Sequence, residues 1–134
     1  MSLRILFLFA LCLAACSTPP ALAVPAHTAN ADVHQLSAMR LLQLLQGDPD
    51  AVAGLEPQLA ERRRHQAGEA AKFHIAGVAD GTEGVQWCAG AGVLQHELAD
   101  RVYTTLSALP PAQLRQRASL AVIQALRAAF PCSR

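Results

Sequence analysis

The chain has 134 residues, with 11 Lys and Arg against 10 Asp and Glu and a formal net charge of +1. So even a balance offers no field for nucleic acid, and an aromatic content of 4% leaves few rings for base stacking. Apolar residues reach 52%, raised by the first stretch of the chain and by alanine. An Ala- and Leu-rich composition, poor in β-branched and aromatic residues, points to helices.

The N-terminal residues read as an export signal rather than as part of the fold. Arg4 supplies a positive start, and Ile5 to Ala15 is uncharged and apolar. That length suits a signal-peptide core and is too short for a permanent membrane-spanning helix. Two processing sites compete. Leu13-Ala-Ala-Cys16 fits a lipobox, with Cys16 acylated after cleavage; Ser17 in place of Asp then points to the outer membrane. Ala21-Leu-Ala23 fits an A-x-A cleavage site that would release a soluble protein. The lipobox is slightly preferred, and both sites place the domain outside the cytosol. Residues 1–23 are therefore assigned to the signal, 24–31 to a polar, flexible leader, and 32–134 to one small domain with a single core.

In chain order, a first helix is expected from near Asp32, capped by Asn30 or Asp32, through Met39-Arg-Leu-Leu to Gly47, a natural residue for a helix end. Gly47-Asp-Pro-Asp50 reads as a turn. Leu55 to Arg64 is helix-competent, with Pro57 suited to a first helical turn, and a longer helix is expected over Ala67 to Ala79. Ala70, Phe73 and Gly77, joined by Ala71 and His74, fall near one face of it. Gly77 inside a helix costs about 1 kcal/mol relative to Ala and predicts a close helix–helix approach. Asp80-Gly-Thr-Glu-Gly84 should end the helix in a loop. A third helix is expected over Val93 to Ala108, with Leu94, Leu98, Val102, Thr105 and Leu109 at helical spacing. Pro110-Pro111 should end it, Pro111 opens a short turn to Leu114, and Ala118 to Phe130 forms the last helix before Pro131. No strand pattern or internal repeat stands out. The expected fold is all-α, a small bundle of four to five helices with one disulfide.

Chemistry is thin. Cys88 and His96 could be read as a nucleophile pair, but nothing around Cys88 resembles an activated thiolate and Cys132 is a ready partner for it. His27, His34, His65, His74 and His96 form no metal-ligand spacing, and no C-x-x-C occurs. The run Arg62-Arg63-Arg64-His65 reads as a solvated helix face balanced by Glu56, Glu61 and Glu69. No catalytic residue, metal or cofactor is assigned. In an oxidising compartment Cys88 and Cys132 read as a staple across the last two helices, with Trp87 packed beside it.

The pattern Phe73-His-Ile-Ala-Gly-Val-Ala-Asp-Gly, then Trp87-Cys88, an amphipathic helix ending near Leu109-Pro110, and a close in Ala129-Phe130-Pro131-Cys132 resembles the Rap/Tai family of type VI secretion amidase immunity proteins. The resemblance covers about residues 32–132. It implies a periplasmic all-α protein, commonly a homodimer, without catalysis of its own, that binds a secreted cell-wall amidase effector and occludes its cleft. Family members carry a second cysteine pair at positions that align with Leu45 and Ala71, and often an aromatic where His74 stands. Loss of both cysteines together fits Leu45 packing on Ala71. The loop of Asp80, Gly81, Thr82, Glu83, Gly84 and Gln86 is the candidate partner-binding segment: polar, Gly-flanked and anchored beside Cys88. An envelope lipoprotein with a structural role and no toxin partner is the alternative.

Overall fold

The computed structural model describes residues 35–90 and 92–133. The signal, Cys16, the leader and the proposed caps Asn30 and Asp32 lie outside these residues. Five α-helices and one 3-10 turn follow in order: α1 Ala38–Leu45, α2 Pro49–Val52, α3 Pro57–Asp80, α4 Gln95–Ser107, the 3-10 turn Gln113–Arg115 and α5 Ala118–Ala129. The all-α expectation holds, with no strand among the described residues.

Helix α1 starts later than its sequence suggested. Gln35 and Leu36 are not helical, and the cap is Ser37, which accepts the Arg40 N–H at 3.1 Å. A long-range contact makes the choice: the Ala38 N–H donates to Gln116 O at 2.9 Å and the Ala118 N–H to Leu36 O at 2.7 Å. The first turns of α1 and α5 thus satisfy each other's free N–H groups. Gly47 closes α1 as expected, at φ 81°. A Cβ there would also lie 3.1 Å from Cγ of Arg64 on α3, so any other residue would strain the left-handed backbone and press on that side chain.

The turn at Gly47–Asp50 continues into the short helix α2. Asp48 holds a left-handed conformation, φ 55°, which Asp tolerates better than most residues. Its carboxylate receives both guanidinium nitrogens of Arg40 at 2.6 Å and is 8% exposed, the one buried charged residue among those described. This bidentate pair holds α2 against α1.

The two expected segments 55–64 and 67–79 are one helix of 24 residues, α3. Pro57 takes its first position, and the Glu56 carboxylate caps Gln58 N–H at 3.1 Å. The helix buries Ala60, Ala67, Ala71, Ile75 and Ala79. The predicted set is mostly not the buried face: Phe73 is 70% exposed, Ala70 and Gly77 are exposed too, His74 is half-buried and only Ala71 is buried. Nor does Gly77 sit at a close approach, since nothing lies within 4 Å of where its Cβ would be.

Helix α3 packs against α1, α4 and α5, and its alanines let those neighbours come near. The core joins Leu41 and Leu42 of α1, Ile75 of α3, Leu98, Val102 and Leu106 of α4, Leu114, and Val122 and Leu126 of α5. Fully burying one such side chain contributes about 1.5–3 kcal/mol. Ala71 is fully buried in this cluster, and Leu45 is among the half-buried residues packed against the cluster. Helix α4 begins at Gln95 rather than Val93; the Glu97 side chain accepts the Leu94 N–H at 2.9 Å and fixes the start.

Asp48 generates a prediction. The Arg40 hydrogen bonds and charge hold its carboxyl below the usual carboxylate range, against the opposing effect of burial. A carboxyl with a depressed folded-state pKa contributes stability that is complete above its unfolded value, about 3.9, and is lost as pH falls through the lower folded value. Asp48→Ala should cost about 2 kcal/mol in urea unfolding at neutral pH. It should also remove that part of the acid dependence, which wild-type and variant unfolding curves measured below pH 5 would reveal.

Candidate partner-binding surface

The C-terminal end of α3 is tied by one carbonyl. Ala79 O accepts the N–H of Thr82 at 3.1 Å and of Glu83 at 2.9 Å, and also the Trp87 indole N–H at 3.1 Å. The Thr82 hydroxyl donates to Val78 O at 2.7 Å. Gln86 N–H returns to Thr82 O at 2.9 Å, and Gly84 N–H reaches Trp87 O at 2.8 Å. Gly84 sits at φ 75°, the left-handed conformation this tight return needs.

These bonds bring the predicted segment together as one compact loop. Asp80, Gly81, Glu83, Gly84 and Gln86 are exposed, while Thr82 is half-buried because its side chain is spent on the helix end. The sequence reading passed over Val85, which is 78% exposed at the centre of the loop. A β-branched apolar residue between Gly84 and Gln86 was the available signal.

The floor beneath the loop is Trp87, 2% exposed. Its ring packs on Phe130 with centroids 6.0 Å apart and planes tilted by 55°. The Cys88 N–H donates to Phe130 O at 3.0 Å, and Cys88 is bonded to Cys132 across a sequence separation of 44. The predicted staple is therefore present, and the Trp87 ring expected beside it packs on Phe130. With its sulfur in this bond, Cys88 is no free thiolate for His96.

The remaining candidates separate. His96 is exposed and lines a shallow groove of about 380 Å³ with Glu97, Asp100, Arg101, Thr104 and Phe130. No group of three His, Cys, Asp or Glu side chains is placed to hold a metal among the described residues. His74 is half-buried on α3; its Nε2 is buried without a hydrogen-bond partner, and burial lowers its pKa. The arginine run is only partly balanced. Arg64 meets Glu61 at 3.5 Å, but Glu56 is used as a cap and Glu69 pairs with Lys72 at 2.9 Å. Arg62 and Arg63 have no salt-bridge partner among the described residues.

The chain matches the model of the Rap1a immunity proteins over residues 14–132. It belongs to that family. No curated protein matches it. Membership in the Rap1a immunity proteins implies a type VI effector immunity role, which generally rests on binding rather than catalysis.

The Cys88–Cys132 bridge should matter for both loop and core. For a closed loop of this length the chain-entropy contribution is about 4 kcal/mol, a large share of the 5–15 kcal/mol typical of a domain. Paired Cys88→Ser and Cys132→Ser replacement should lower Tm sharply, and alkylation of the folded oxidised protein should label neither cysteine. Two reactive thiols in folded protein would contradict the bridge.

Proposed function

We propose that this Rap1a-family chain is a periplasmic immunity protein that binds a type VI secreted peptidoglycan amidase and occludes its cleft. The observation that carries the reading is the pre-formed loop from Asp80 to Gln86. Its backbone is already hydrogen-bonded to α3 and to Trp87. It therefore enters a cleft with little ordering cost, which is where rigid inhibitory loops gain affinity. Exposed Val85 supplies an apolar tip, and Glu83 beside it supplies a charged acceptor for donors in the cleft.

Export fits the remaining features. The Cys88–Cys132 bridge suits an oxidising compartment. The apolar start of the chain and Cys16 give a route to the periplasm and an acyl anchor at the outer membrane. A single acyl chain holds only reversibly, whereas a multiply acylated cysteine holds firmly. The protein acts as a homodimer in this reading and needs no cofactor.

The test is inhibition of a secreted amidase encoded beside this protein's gene, measured as peptidoglycan hydrolysis. Wild-type protein should abolish hydrolysis at stoichiometric ratio. Val85→Arg and Glu83→Lys should each raise Kd at least about tenfold, equivalent to 1.4 kcal/mol, with unchanged unfolding curves because neither side chain is buried. Full affinity in both variants would place the contact elsewhere on the surface.

A further inference from the structure

Charge is not spread evenly along the chain. No Asp or Glu follows Asp100, while five arginines do. Three of them gather on α5 and the turn before it: Arg115 in the 3-10 turn, Arg117 at the cap of α5 and Arg127 in its last turn. Arg117, Leu120, Gln124 and Arg127 follow one another by three, four and three residues, which makes one stripe along the helix. All four are exposed, as is Arg115, and Leu120 is 50% exposed between the arginines. The ion pairs among the described residues involve none of these arginines.

Arg117 stands where the helix itself would be better served by another residue. It is the N-cap of α5 yet gives no side-chain cap hydrogen bond, and no acid occupies the first turn. Ser, Thr, Asp or Asn stabilise that position, and a cation there opposes the helix dipole, which favours one only at the opposite end. The arginine run on α3 differs, because Arg62, Arg63 and Arg64 lie among Glu56, Glu61 and Glu69, which offset their field.

The stripe also begins where the preceding chain enters the domain. The Ala38 N–H donates to Gln116 O and the Ala118 N–H to Leu36 O, and Ser37 bridges Arg117 in antiparallel fashion. Gln35 is the first described residue, so residues 17–34 would join an acylated Cys16 to this corner. A coil of that length holds its ends about 25 Å apart. An anchored domain therefore carries Arg115 and Arg117 close to the bilayer.

We propose that this face of α5 docks on anionic phospholipid, with Arg115, Arg117 and Arg127 at the headgroups and Leu120 inserted between them. The docking rests on the acylated-Cys16 reading of export. A basic face around an exposed apolar residue is the pattern of a helix lying at a membrane interface. The acyl chains hold the protein to the membrane, and α5 sets its orientation there. None of these residues belongs to the Asp80–Gln86 loop.

Vesicle co-sedimentation tests the docking, using the oxidised chain from Val24 onward, which holds every described residue and no acyl site. It should bind vesicles of equal parts phosphatidylglycerol and phosphatidylcholine, leave phosphatidylcholine alone unbound, and be released by high salt. Arg115→Gln, Arg117→Gln and Arg127→Gln should each lower the affinity about fivefold, and Leu120→Gln should lower it too. Far-UV circular dichroism should not change, because all four side chains are exposed. Arg117→Asn should raise Tm while weakening vesicle binding, a pairing that a purely structural arginine would not give. The control R62Q/R63Q should bind like wild type. Equal binding to both vesicle types, binding to neither, or a loss in the control but not in the α5 variants overturns the proposal. So does loss of amidase inhibition in R115Q/R117Q/R127Q, which would give this face to the effector. Mass spectrometry of the exported full chain separates the two readings. No acyl group at Cys16, with anionic vesicles bound as described, removes the tether and leaves the docking face standing. An acylated Cys16 without vesicle binding overturns the docking alone.

Discussion

The carbonyl of Ala79 is the point on which the C-terminal half of the domain turns. A helix end normally leaves its last carbonyls to water or to a capping turn. Here one of them accepts two backbone N–H groups and the Trp87 indole together. The indole is thereby fixed over Phe130, and Phe130 in turn receives the Cys88 N–H. The disulfide then closes the circuit from α3 through the loop to the chain end. Because Trp87 is buried, these bonds lie where water competes poorly. The exposed loop is a by-product of that geometry: its ends are fixed, so its exposed residues stand in one arrangement.

Helix α3 serves two surfaces with one sequence. Its inner face is alanine at four of five buried positions, with Ile75 as the only large side chain. Small residues cost little side-chain entropy and bring α1, α4 and α5 near the α3 backbone. The volume of the core then comes from the leucines and valines those helices contribute. The outer face can carry charge and a lone Phe without disturbing that packing. The loop that follows α3 thus leaves a helix held against α1, α4 and α5, which gives it a rigid support.

Which features were legible in the sequence follows from how local their causes are. Gly47, Pro57 and the proline-bounded last helix announce themselves, since a backbone conformation or a missing N–H is decided at the residue itself. The two cysteines outside the N-terminus left one pairing for the domain. The buried face of α3 was misread because alanine satisfies either side of a helix, leaving Phe73 to dominate the pattern. Ile75 and Val78 marked the true face more faintly. The start of α1 was misread for another reason. Asn30, Asp32 and Ser37 are all competent caps, and the choice falls to bonds with Gln116 and Ala118, which are remote in sequence. The loop was found as a segment, but Val85 was missed because the reading weighed polar residues for contact and apolar ones for the core.

The missing second cysteine pair divides the labour within the domain. Where the family resemblance leads one to expect a bridge from α1 to α3, Leu45 packs half-buried against a cluster in which Ala71 is fully buried. A leucine in that position supplies apolar contact in place of a covalent tie, and contact can be lost one turn at a time where a bridge cannot. The Arg40–Asp48 pair then becomes the specific lock on the α1–α2 corner. It works there because Asp48 is buried enough for its two hydrogen bonds to escape competition from water, while Arg40 keeps much of its own side chain in solvent. The α1–α2 corner is thus held by packing and the Arg40–Asp48 ion pair, and the loop after α3 by a covalent staple. Such a distribution keeps the loop's geometry fixed even when the α1–α2 corner opens transiently, because the bonds that shape the loop involve neither of those helices.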